Sequence, residues 1–258
     1  MRAEPLSSRV ALVTGVSRRA GIGFAIAKRL ASLGADLCLH AFAPYDARQA
    51  WGADRDGPEA LAKEVAALGV RVESLSSDLA EADAPERLVA EAWSRLGRVD
   101  VVVANHTHSR SGGLEELRAE EIDRQLAVNV RATLLLVQAF AARHDGRAGG
   151  RVVLLTSGQD RGPMTRELAY AASKGALASL VTSLSAHLAH RGITVNAVNP
   201  GATDTGWASP ELHEEILSRE PQGRWGAPDD AARLVAWLAT DDARWVTGQV
   251  IHSTGGGP

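Results

Sequence analysis

Cysteine is almost absent from this chain of 258 residues: Cys38 is the single one. One thiol makes no intrachain disulfide and no cysteine-based zinc site. Its place in Leu37-Cys38-Leu39 reads as a small buried hydrophobe, and such usage fits a reducing cytosol. Aromatic residues are scarce at 4%, with only two tyrosines, Tyr45 and Tyr170. A chain this poor in tyrosine does not use it as core filling, so each position asks for a reason. Positive charge is not in excess. The formal net charge is -3, which implies no broad basic surface and sets nucleic acid aside as a partner. No apolar run approaches the roughly 20 residues that cross a bilayer. Met1-Arg2-Ala3-Glu4-Pro5 leads to a strand with no apolar signal core. The expectation is a soluble, cytoplasmic protein working away from membranes.

What is present is a globular composition, 45% hydrophobic and 23% charged, which excludes disordered and collagen-like classes. Short β-rich apolar runs fall near 9–14, 37–41, 71–75, 99–104, 151–156, 193–198 and 249–252. Amphipathic, Ala-rich stretches lie between them, near 22–33, 119–143, 168–190, 210–218 and 228–239. Pro58 and Pro85 open two further helices, and Gly69 and Gly97 close them. This alternation predicts an α/β protein: a doubly wound parallel sheet of about seven strands with helices on both faces. No linker divides the chain, so one domain over 1–258 is expected. The longest irregular stretch, 42–57, reads as a surface excursion.

The first strand ends in Thr14-Gly15, and Gly21-Ile22-Gly23 opens the first helix. A doubly wound fold seats a dinucleotide pyrophosphate at such a turn. Glycines let the backbone approach, and the helix N-terminus supplies N–H donors and partial positive charge. Arg18 and Arg19 lie in the turn and are placed to meet an extra phosphate; the plainer reading is two solvated loop charges. The second strand ends at His40-Ala41-Phe42, without the carboxylate that holds ribose hydroxyls in NAD enzymes. NADP(H) is therefore favoured, with NAD(H) as the alternative. Asp78, after the third strand, is placed to accept from the adenine amino group or to cap a turn.

Tyr170 and Lys174 are four residues apart, one turn along a helix face. A tyrosine hydroxyl titrates near 10 and exchanges protons poorly at neutral pH; a nearby ammonium stabilises phenolate and makes it a usable acid/base. Ser157 closes the fifth strand, where open sheets place ligands, and its hydroxyl can hold a carbonyl oxygen.

With Asn129 and Asn199-Pro200-Gly201, these motifs resemble the short-chain dehydrogenase/reductase superfamily. Arg224-Trp225-Gly226-Ala227-Pro228, Thr247-Gly248-Gln249 and Gly255-Gly256 resemble its ketoacyl-carrier-protein-reductase-like branch, over about residues 8–257. The resemblance implies a Rossmann-type fold and a catalytic set of Asn129, Ser157, Tyr170 and Lys174. Asn129 would hold a relay water, and Lys174 would also bind the nicotinamide ribose. Cofactor contacts would come from Gly15, Ser17, Arg18, Arg19, Gly21, Ile22, Gly23, Asp78, Leu79, Asn105, Tyr170, Lys174, Pro200, Gly201, Thr203 and Thr205. The reaction would pass hydride between nicotinamide and a carbonyl or secondary alcohol, with a 3-oxoacyl thioester or related ketone as substrate. The long helices would pair subunits, usually into a homotetramer. Two other readings keep the fold: a dinucleotide-binding sensor or scaffold without turnover, and a non-redox dehydration or epimerisation.

Three features depart from the family pattern. Five residues separate Gly15 from Gly21, where three are usual. The usual Asn-Asn-Ala-Gly is Ala104-Asn105-His106-Thr107 here, so larger side chains replace small ones. The 42–57 excursion is long and carries Tyr45 and Trp51; it reads either as a cover over the adenosine end or as a subunit contact. A substrate pocket of His106, His108, Gln159, Arg161, Met164 and Trp207 is expected, with a mobile lid over 203–219. His106 and His108 have no third ligand spaced to join them, so no metal is expected.

Overall fold

Residues Val10–Val13 are all apolar and all buried, as a strand covered on both faces must be. Ala11 and Val13 point into one apolar cluster, Val10 and Leu12 into the other. The computed structural model describes residues 4–257; Met1, Arg2 and Ala3 of the leading segment, and Pro258, lie outside them. The elements run β1 (Val10–Val13), α1 (Ile22–Ala31), β2 (Asp36–Ala41), α2 (Ala43–Asp46), α3 (Gly57–Ala66), β3 (Val72–Ser76), α4 (Ala84–Leu96) and β4 (Val101–Ala104). Next come α5 (Ala119–Gln125), α6 (Ala132–Arg143), β5 (Gly150–Leu155), α7 (Leu168–Leu188), β6 (Ile193–Asn199), α8 (Pro210–Leu217), α9 (Pro228–Ala239) and β7 (Val250–His252).

The seven strands form one sheet in the order β3-β2-β1-β4-β5-β6-β7, and every pairing is parallel. Helices α1, α3 and α9 cover one face; α4, α6 and α7 cover the other. Parallel pairing sends all seven carboxyl ends to one edge. The order reverses between β1 and β4, and the loops after them part to leave a crevice. Cys38 is fully buried in the second cluster.

Two expectations change. The helix over 119–143 is not continuous: a π-helical turn, Leu126–Arg131, separates α5 from α6. That turn carries Asn129, and such bulges re-aim side chains at functional positions. The excursion 42–57 is not wholly irregular, since Pro44 lies in the first turn of the short helix α2. The stretch Ala119–Arg143 is long and apolar enough to cross a membrane, yet more than half of its most apolar window is buried here, as in a core helix.

The turn before α1 explains its glycines. Gly15 has φ +72°, a left-handed conformation that side chains disfavour. Gly23 packs on it so closely that a Cβ would lie 2.5 Å from the Gly15 carbonyl oxygen. Gly23→Ala is expected to cost about 1–3 kcal/mol by overpacking. Urea unfolding measures it, and an unchanged midpoint would contradict the packing.

Candidate active site

A cavity of about 720 Å³ opens along the carboxyl edge of the sheet, within the roughly 300–1,000 Å³ typical of ligand sites. His40, Asp78, Leu79 and Arg124 line one end. Gly15, Ser17, Arg18, Gly21 and Ile22 line the middle. Asn105, Ser157, Tyr170, Lys174, Pro200, Gly201, Thr203 and Thr205 line the rest. Gly21 precedes α1 with no side-chain cap, so the first N–H groups of the helix stay available to an anion. An elongated cleft with a glycine-walled, amide-rich middle fits a dinucleotide.

At the far end, Ser157 follows β5, while α7 brings Tyr170 and Lys174 beside it. The Ser157 and Thr107 hydroxyls lie beside the Tyr170 phenol, near enough to favour its ionised form. Lys174 is buried and its Nζ donates to the Leu155 carbonyl at 2.8 Å. The same Nζ lies 5.6 Å from the centre of the Tyr170 ring. Burial pushes the Tyr170 phenol up to about 12 and the Lys174 ammonium down to about 8. The expected lowering of the tyrosine by the lysine is therefore not what this arrangement does. Desolvation sets the direction for both groups, and the two hydroxyls offset only part of it at Tyr170.

Asn129 is fully buried, and its amide is fully used. Oδ1 accepts from the His108 N–H at 2.7 Å and the Thr107 hydroxyl at 3.2 Å. Nδ2 donates to the His108 carbonyl and to Ser173 Oγ, each at 2.9 Å. Ser173 in turn donates to the Tyr170 carbonyl at 2.8 Å. The side chain clamps the loop after β4 to the turn bearing Tyr170 and keeps no free donor for a relay water.

His106 and His108 go separate ways. The His106 ring is buried between Thr14 Oγ1 at 2.7 Å and the Val128 carbonyl at 3.1 Å, so Nε2 donates to the carbonyl and Nδ1 accepts from Thr14. His106 lines the cavity as expected, with both ring nitrogens already committed to protein partners. His108 instead pairs its Nε2 with Glu121 at 2.8 Å. Gln159, Arg161 and Met164 do not line the cavity. The Gln159 side chain accepts from the Ser157 N–H, and Arg161 reaches the Gly257 carbonyl at 3.5 Å. Trp207 does line it, donating to the Thr203 carbonyl and packing edge-on against Trp225. Among the described residues, no group of three or more His, Cys, Asp or Glu could hold a metal.

The excursion covers the cavity. Phe42, Tyr45, Asp46, Arg48, Gln49 and Trp51 all line it. Asp46 is a buried carboxylate that sequence reasoning missed. It accepts from Ser17 Oγ at 2.5 Å and Trp51 Nε1 at 3.1 Å, with Arg18 Nε at 3.4 Å. Arg18 also donates to the Thr205 carbonyl at 2.9 Å. Arg19 points elsewhere, onto Asp54, Asp56 and Glu64, and does not line the cavity. Gly23 is likewise a packing residue. Asp78 takes the turn-capping part, Oδ1 accepting from the Ala80 N–H, while Oδ2 pairs with Arg124 at 2.8 Å. The one local signal for the cover was three of eleven aromatic residues within ten positions.

Comparison with known proteins agrees with this geometry. A family model described as enoyl-(acyl carrier protein) reductase matches residues 15–257. The uncharacterized oxidoreductase YjdA of Bacillus subtilis is 42% identical over 250 residues, covering 96% of each chain. The 3-oxoacyl-[acyl-carrier-protein] reductase FabG of Staphylococcus aureus is 32% identical over 252 residues, covering 96% of this chain and 98% of its own. A short-chain dehydrogenase from Burkholderia cenocepacia, solved in complex with NADP, superposes with a TM-score of 0.88 at 36% identity, covering 98% of both chains. The chain belongs to the short-chain dehydrogenase/reductase superfamily, in its ketoreductase-like branch. It is an NAD(P)-dependent oxidoreductase.

The cleft holds two neutral histidines. Burial pushes His40 down to about 4 and His106 to about 3. In the unfolded chain each takes up a proton near pH 6.5. Their contribution to stability is therefore intact above that value and lost as pH falls, by about 1.4 kcal/mol per unit for each histidine. The urea midpoint should drop between pH 6.5 and pH 5; a flat midpoint there would refute neutral burial.

Proposed function

We propose that the protein reduces a carbonyl group to a secondary alcohol with NADP(H), or runs the reverse oxidation. The observation that carries this reading is the grouping of Ser157, Tyr170 and Lys174 at one end of a cleft whose middle is the glycine-rich turn. A bound nicotinamide supplies or takes the hydride. Ser157 holds the carbonyl oxygen, and Tyr170 gives that oxygen its proton. A phenol raised by burial stays protonated at neutral pH, which is the form a proton donor needs. Lys174 keeps two ammonium hydrogens beyond its bond to Leu155 for ribose hydroxyls and holds positive charge under the phenol. Asn129 acts as a clamp that fixes Tyr170 against the loop after β4. Any relay water would be held by groups other than its amide.

NADP(H) is the preferred cofactor in this reading. Support comes from the acid-free end of β2, from Arg18 in the cleft and from the NADP complex of the Burkholderia relative. The buried Asp46 does not oppose it, because Arg18, Ser17 and Trp51 already occupy that carboxylate. A substrate lid over 203–219 is anchored at Thr203, which bridges to Gly226. A sensor without turnover would have no need of the Ser157–Tyr170–Lys174 group. Assembly into a homotetramer would cover Trp245, which is 94% exposed near β7, and light scattering tests it.

Tyr170→Phe should lower turnover by about 10²–10⁴-fold while nicotinamide fluorescence still reports NADPH binding. Near-normal turnover in that variant would sink the assignment. The kcat/KM for reduction should hold steady below pH 7 and fall as pH rises through about 8, where Lys174 loses its charge. A profile that climbs from neutral pH to pH 9 would contradict a cationic lysine.

A further inference from the structure

One part of the cavity wall is not used by the proton-transfer group. His108 lines the cavity with its ring 18% exposed. Its Nε2 is held by Glu121, and Glu121 is in turn held by the Gln125 amide at 3.1 Å. The Tyr45 ring lies against the imidazole, centroids 5.3 Å apart. The Tyr45 hydroxyl is tied to Ser109, accepting from its N–H at 3.2 Å. Nδ1 of His108 has no partner among the described residues. With Nε2 donating to the carboxylate, Nδ1 carries the lone pair and accepts hydrogen bonds.

Glu167 lies close by. An isolated bridge pairs Gly112 with Glu167, so the loop that carries His108 runs beside the start of α7. The Glu167 carboxyl lines the cavity, three residues before Tyr170, and has no hydrogen-bond or ion-pair partner among the described residues. It is near enough to Tyr170 to act on its charge. The wall therefore presents two acceptors, an imidazole nitrogen and a carboxyl, next to the phenol. The Asn129 clamp sets His108 at a fixed place relative to Tyr170. A ligand that brings a donor into this part of the cleft finds protein acceptors not already committed to other side chains.

We propose that His108 and Glu167 form a polar subsite that takes a hydroxyl group carried beside the reacting carbonyl, so that the substrates are hydroxylated ketones. This rests on the carbonyl-reductase reading above. The hydroxyl brings one O–H donor, which suits either acceptor. An aliphatic acyl chain offers no donor and would leave both unpaired. The subsite thus turns the choice away from a simple 3-oxoacyl thioester.

The test compares hydroxyacetone with methoxyacetone in the NADPH assay. Both carry an electron-withdrawing oxygen beside the carbonyl; only hydroxyacetone has a donor. Acetoacetyl thioester and aminoacetone complete the set. The wild-type protein should favour hydroxyacetone over methoxyacetone by about tenfold or more in kcat/KM, as sites built to bond a hydroxyl do. His108→Leu and Glu167→Leu, made separately, should each narrow that ratio, while His108→Asn and Glu167→Gln, which keep an acceptor, should restore part of it. Equal use of the two ketones, a ratio unmoved by either substitution, or a clear preference for the thioester or for aminoacetone would overturn the subsite and leave the reductase reading standing. No NADPH oxidation with any of the four carbonyls, despite NADPH binding, would overturn both.

Discussion

One buried amide joins the parts of this site. Asn129 bonds the N–H and the carbonyl of His108, the Thr107 hydroxyl and Ser173, and Ser173 bonds the Tyr170 carbonyl. The loop after β4 and the turn carrying Tyr170 and Lys174 are thereby held to a single side chain. Removing that amide would orphan several buried groups, each at about 1–3 kcal/mol. A regular α-helix over 119–143 would aim position 129 differently. The π-helical turn supplies the change of direction, so a local irregularity in one helix sets the geometry of two neighbouring elements.

Electrostatics in the cleft follow from burial more than from pairing. Tyr170, Lys174, His40 and His106 are all shifted toward their neutral forms, and desolvation is the largest cause for each. Water exclusion protects a hydride-transfer site, and the same exclusion holds the phenol protonated. Among the described residues, the one strongly buried carboxylate in the wall, Asp46, stays compatible with burial because three donors surround it.

Much of the site was legible from local signals. The glycine-rich turn, the helical spacing of Tyr170 and Lys174, and Ser157 at a strand end each placed a group correctly at the cavity. Motifs of this kind are short, and their geometry is set by the chain within a turn or two. The errors share a different origin. Arg19 looked like a phosphate ligand until Asp54, Asp56 and Glu64 came round to meet it. His106 does line the cavity, but its ring nitrogens are taken by Thr14 and the Val128 carbonyl, so they are not free for a substrate. Gln159, Arg161 and Met164 follow Ser157 in sequence yet fall outside the cavity.

The amino-acid order by itself determined the alternation of strands and helices, the parallel sheet and the glycine-rich turn that opens on the cavity. Apolar periodicity, glycine and proline act over a few residues and need no partner. Only the tertiary structure decided that Asp46 and Tyr45 close over the cleft, that Asn129 is a clamp, and that Glu167 stands beside Tyr170 unpaired. Those outcomes depend on which side chains meet across gaps of 29 to 64 residues, such as Ser17 with Asp46 and Tyr45 with Ser109. Contacts of that kind are selected by packing and by competition for buried hydrogen bonds, and no local pattern encodes them.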